Sequence, residues 1–292
     1  MRISEFYPNP HSAIHIPKSM HNHPSYLGVF LTFARNSLIR DMTFRANFII
    51  EVISSMSWMI MNLGFYILVY SFTENIADWQ RYEFFVFIST TMFVNSLVQA
   101  FFMPNAQELS ELVRTGGLDY ALVKPIDTQF LVSLRRVNWS SLGNFFVALL
   151  LLAYCVPRIE GLELTVLQIL LYPLYVLLGV LILYSVMITL AATSIWLGRN
   201  QSLYDFWFYI TTFSRYPMEI YQGDWGTPLR QLFTFVIPIL VVINVPARFM
   251  AKPLSTEFAW LAAFAVLATI LCLVGSRWVF KQALWSYRNA SS

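Results

Sequence analysis

Charge is what this sequence has least of. Asp, Glu, Lys and Arg make up 12% of its 292 residues, about half the share of an ordinary soluble domain. That leaves no room for a soluble catalytic domain of usual size. Histidine is confined to the first 23 residues (His11, His15, His21, His23), with no cysteine or acidic cluster beside it. No metal site is expected there, and a histidine-based catalytic centre is excluded elsewhere. The two cysteines, Cys155 and Cys272, lie in apolar stretches and read as small packing residues. No G-x-x-x-x-G-K-[ST] phosphate loop is present, so the chain is not expected to bind ATP or Mg or to hydrolyse ATP by that machinery. H-E-x-x-H and G-x-S-x-G are missing too, and no catalytic residue is assigned. The net charge of +3 lies mostly in loops, which argues membrane orientation and not nucleic-acid binding.

What the chain has is apolar length. Residues 52–73, 84–107, 137–157, 164–198, 231–247 and 258–276 contain no Asp, Glu, Lys or Arg. A bilayer core of roughly 30 Å takes about 20 apolar residues as a helix, and in lipid every backbone polar group must be bonded internally. The pattern predicts an all-α membrane protein, with spans near 46–71, 84–103, 139–157, 173–197 and 257–277. The fifth span is open between 200–216, which carries Asp205 and Arg215, and 231–247, which carries Pro238 and Pro246. In the long fourth run Pro173 is expected to start the span, leaving 164–172 at the surface.

The remaining segments have their own signals. Residues 1–24 read as a disordered polar tail and 25–292 as one membrane domain. Leu27, Leu31, Ala34, Leu38 and Met42 recur at helical spacing among Arg35, Arg40 and Arg45, the mark of a basic helix lying on the membrane surface. Glu51 is an intramembrane polar candidate, though Arg45 lies close enough for an interfacial position. Residues 104–138 form the main polar interruption: a helix with Leu109, Leu112 and Val113 on one face, a break at Gly116-Gly117, a second helix capped by Asp119, and a turn at Lys124-Pro125. Either choice of fifth span leaves more than half of the 19 Lys and Arg, both termini and residues 104–138 on the cytosolic side.

Two motifs carry a resemblance. ELSELVRTGGLDYALVKPIDTQF at 108–130 matches a pattern of Val-Arg-Thr-Gly, Leu-Asp and Lys-Pro. Tyr216-Pro217, followed by TFVIPILVVINVPA at 234–247, matches Tyr-Pro, Thr-x-x-Ile-Pro and Pro-Ala. Over roughly residues 25–285 the chain resembles type-2 ABC exporter permeases, in particular a bacterial subgroup described as permease components of ABC transport systems. The resemblance implies six spans with both termini cytosolic in the bacterial inner membrane, and it favours 200–216 as the fifth. It implies a coupling helix between spans two and three, here Leu109, Leu112, Val113, Arg114, Gly116, Gly117, Leu118 and Asp119, docking on a separate ABC ATPase that uses ATP and Mg. It also implies re-entrant helices at 217–250, marked by Pro217, Pro238 and Pro246, and a second permease, identical or different, as partner in the lipid. The aromatic share of 17% suits an apolar or amphipathic substrate. A secondary transporter or channel is the alternative. It is weakened because only Glu51 and Asp205 bring acidic groups near a span.

Overall fold

The computed structural model describes residues 25–197, 207–209, 212–253 and 255–290. The tail expected at 1–24, with its histidines, and most of the span expected at 200–216 lie outside the described residues. Among those described, 207–209 and 212–214 are helical.

The chain is nearly all helix. Helix α1 (Tyr26–Thr43) leads into α2 (Arg45–Val69), the first long apolar helix. The predicted stripe of α1 is largely uncovered, with Leu27, Leu31, Leu38 and Met42 exposed and Ala34 buried. A hairpin of two short antiparallel strands, β1 (Asn75–Ile76) and β2 (Trp79–Gln80), follows, and the sequence carried no expectation of it. Ala77 and Asp78 form its turn with positive φ. Helix α3 (Arg81–Phe101) then starts on a capping box, in which the Gln80 side chain and the Glu83 side chain satisfy each other's backbone N–H groups.

Residues 103–134 hold three helices: α4 (Met103–Arg114), α5 (Gly117–Leu122) and α6 (Thr128–Leu134). Helix α7 (Leu142–Cys155) is short for a span and ends in a 3-10 turn over Val156–Arg158. Helix α8 (Val166–Leu197) is continuous, with Pro173 inside it. This corrects the expectation that 164–172 lies apart from the span. The reason is a missed signal, Thr165-x-x-Gln168: the Gln168 side chain accepts the Thr165 N–H at 2.9 Å and fixes the helix start seven residues before the proline. The last helix, α11 (Thr256–Ala290), also outruns its predicted span, and the expected basic tail is its continuation.

Between them lie α9 (Gly223–Gln231), extended by a π turn over Leu232–Val236, and α10 (Ile239–Ala251). The two meet at a bend of 87° around Ile237-Pro238. Among the described residues, four helices are long and apolar enough to cross a membrane, or five if this bent pair counts as one span. Cys155 and Cys272 are free thiols.

Helices α3, α8 and α10 form the centre. Every residue of α10 except Arg248 is buried. Pro246 has no N–H to offer the Val242 carbonyl four residues earlier, and that carbonyl lies against Gly179 of α8. A Cβ built on Gly179 would stand 2.6 Å from it, so only glycine permits this approach.

Candidate functional site

The bundle has two distinct ends. At one, residues 103–138 fold into an elbow held on α8 and α11. Asn105 closes it like a clasp: its Nδ2 donates to the carbonyl oxygens of Phe101 and Arg136, and its Oδ1 accepts the Arg136 N–H, all at 2.8 Å. Glu108 pairs with Arg136 at 2.9 Å and with Arg135 at 3.7 Å. Asp127 accepts the Phe130 N–H at 3.0 Å as the cap of α6, and its carboxylate forms a paired contact with the Arg277 guanidinium of α11. Arg277 also donates to Gln129 Oε1 at 2.8 Å. Burial pushes the Asp127 carboxyl up, but the hydrogen bonds from Arg277 and Phe130 outweigh it and hold the group below the usual carboxylate range. On α8 the Tyr184 hydroxyl accepts from Gln129 Nε2 at 3.0 Å and meets Ser133 Oγ at 2.9 Å.

The predicted site residues separate here into two sets. Leu109 and Leu118 are fully buried inside this chain, and Leu112 and Val113 pack against the same core. The expectation that the Leu109 face fills a partner's groove is therefore corrected, because the bundle itself covers that face. Arg114 faces solvent and pairs with Glu111 at 2.6 Å, one turn back. Gly116 adopts φ 72° and begins α5, while Gly117 has no such requirement. Asp119 is not the cap: Gly116 occupies the cap position, and Asp119 lies in the first turn and interacts with Tyr287 of α11. What the elbow does present outward is Tyr120 and Val123, 78% and 84% exposed, beside Lys124 and Arg114. The sequence motif covered Tyr120 and Val123, whereas the helix stripe drew attention to the face that the bundle covers.

Glu51 accepts from Asn138 Nδ2 at 3.0 Å. Asn138 Oδ1 in turn takes the N–H groups of Ser140 and Ser141, just before α7. Trp139 Nε1 donates to the Ala34 carbonyl at 3.1 Å, and the Val137 N–H donates to Ser37 Oγ at 3.1 Å. Glu51 thus belongs to the junction where α1, α2 and the elbow exit meet.

At the opposite end the β hairpin, the start of α8 and the bent pair converge. The fully buried Trp79 donates from Nε1 to Glu219 Oε2 at 3.1 Å, and Glu219 is ion-paired with Arg248. Lys252 Nζ donates to the Asp78 carbonyl at 2.6 Å and lies 4.8 Å from the Trp79 ring centre. Burial holds its ammonium below the usual lysine range, against the opposing pull of Glu83. Gln168 Nε2 donates to the Phe249 carbonyl at 3.1 Å. Pro217 precedes a 3-10 turn, Met218–Ile220, whose Met218 N–H goes to Asn244 Oδ1 at 2.9 Å. Phe235 meets Trp260 and Phe264 edge to face, and Phe249 meets Phe258 in the same way. Pro238 is at the bend and Pro246 is inside α10, so the three predicted prolines share one substructure.

Residues 56–291 match the family model described as ABC-2 family transporter protein. No curated protein and no solved structure matches the chain.

Proposed function

This chain belongs to the ABC-2 transporter family, a family of membrane transport subunits, and we propose that it is the permease of an ATP-driven exporter. In this reading a separate ABC ATPase binds and hydrolyses ATP with Mg, and a second permease, identical or different, completes the pathway. The elbow faces the cytosol of a bacterium, together with both termini, and the hairpin end faces outward across the inner membrane. The bent pair of α9 and α10 then enters from the outer face and returns to it, and residues 200–216 supply the fifth of six spans.

The observation that carries the reading is the elbow. Its exposed tip (Arg114, Tyr120, Val123, Lys124) hangs from the two longest helices through Tyr184 and Arg277. A rigid body with an outward apolar tip and connections to two spans is what transmission of ATP-driven closure requires. Ion coupling is less favoured, because among the described residues Glu51 is engaged with Asn138 at the end of its helix.

The test is recovery of an ATPase, recognised by its phosphate-loop sequence, with the tagged chain from native membranes. Replacing Tyr120 and Val123 by serine, or Arg114 by glutamate, should abolish that recovery with membrane insertion unchanged. Full recovery with all three residues changed would overturn the assignment.

A further inference from the structure

A cavity of about 220 Å³ opens between α2 and α3, with Asn144 of α7, Trp207 and Arg215 completing its wall. By charge count these helices are apolar. By hydrogen-bonding capacity this wall is not. Four carboxamides line it: Asn62, Asn95, Gln99 and Asn144. The buried Oδ1 of Asn95 has no partner. Asn144 donates from Nδ2 to Ser55 Oγ at 2.6 Å, and its buried Oδ1 is unpartnered. Turning that amide over would leave the other end open in the same way, because one hydroxyl serves both arrangements.

Polar groups at this depth are costly, and those that persist mark a path for polar cargo. Burying a carbonyl oxygen without a donor is costly, and two such oxygens belong to residues of this one wall. Arg215 adds a positive charge at the same wall. No carboxylate among the described residues is paired with it. Trp58 and Trp207 supply flat apolar faces, and the cavity is open where Trp58 and Gln99 are exposed. Its size exceeds the need of a single water many times over.

We infer that this cavity binds a hydroxyl-bearing, anionic headgroup, and that the exported substrate is an amphiphile carrying one. Hydroxyls donate to the open carboxamides, the negative charge meets Arg215, and the ring faces lie on tryptophan. The wholly apolar cargo that the aromatic composition allowed does not use these groups. The inference rests on the permease reading, and it names the substrate class for that pathway.

The test uses the full chain in nanodiscs without any ATPase. Octyl glucuronide, octyl glucoside and octyl trimethylammonium are titrated while tryptophan fluorescence is followed, with Trp58→Phe combined with Trp207→Phe to identify the signal. The glucuronide should bind about tenfold more tightly than the glucoside, the scale of one favourable charge contact. Arg215→Gln should erase that ratio, and Arg215→Lys should keep most of it. Asn95→Leu, and separately the exposed Gln99→Leu, should weaken both sugar probes about fivefold and leave the ammonium probe unchanged. Equal binding of all three probes, or sugar binding indifferent to these variants, overturns the inference. That failure is distinct from failure of the permease reading, which is decided by ATPase recovery at the elbow.

Discussion

The two ends of the bundle are built from the same materials to different purposes. Each ties a short segment to a neighbouring helix through a carboxylate and an arginine. At the hairpin end the pair is Glu219 with Arg248, whose side chains are 11% and 25% exposed, and the fully buried Trp79 adds a further bond. At the elbow end the pair is Asp127 with Arg277, 30% and 40% exposed. Charges removed from water cannot lose a partner cheaply, whereas charges in contact with water can exchange it for solvent. The hairpin end is therefore fixed. The elbow end is held by bonds that can be remade.

That contrast can be broken most directly at Glu219. Glu219→Ala removes the carboxylate that pairs with Arg248 and accepts from the buried Trp79, and it should cost about 3 kcal/mol. Thermal unfolding of the detergent-purified chain should show it as a large fall in midpoint. Gly179→Ala comes next. The added methyl meets the Val242 carbonyl, a backbone atom that cannot swing away, so α8 and α10 must separate at a cost of about 1–3 kcal/mol. The same measurement applies, and an unchanged midpoint would mean that the approach of these helices is looser than described.

Asp127→Asn should have the smallest effect, about 1 kcal/mol, since the amide still caps α6 and the lost pair is partly in solvent. This site also predicts a pH dependence. The folded Asp127 carboxyl titrates below its ordinary value. Its contribution is therefore complete above the unfolded value of about 4 and is lost as pH falls through the lower folded value. Protease cleavage within 103–138 should rise on acidification in the parent chain, and the Asp127→Asn variant should lack that rise.

Much of the helical framework was legible, because spans announce themselves by apolar length. Four of the predicted spans correspond to the four helices among the described residues that are long enough to cross a membrane. Of the prolines expected to mark a re-entrant segment, Pro238 lies at the 87° bend and Pro246 inside α10. What could not be read was which way an amphipathic face turns. The stripe at Leu109, Leu112 and Val113 is real, but nothing in its spacing distinguishes a face covered by the chain's own bundle from one kept for a partner. Arg277 looked like a tail charge because its counterpart, Asp127, is 150 residues away in sequence. The cavity was missed for another reason. Counting only ionisable residues renders Asn95, Gln99 and Asn144 invisible, although each carries both a donor and an acceptor into the membrane.

Helix α8 has 32 residues and α11 has 35, about 48 and 52 Å at 1.5 Å per residue, against roughly 30 Å of hydrocarbon. From Tyr184, where the elbow is attached, α8 runs on to Leu197, about 20 Å further. Beams of this length have a mechanical advantage. A tilt of about 10° about a mid-bilayer pivot moves a point 25 Å away by ~4 Å, by the geometry of a straight helix of this rise. At the far end of the same beam Gln168 is bonded to Phe249, and at its middle Gly179 is seated on Val242. Helices α8 and α10 are therefore joined at two levels, on either side of Pro173, and a tilt of one is imposed on the other at both.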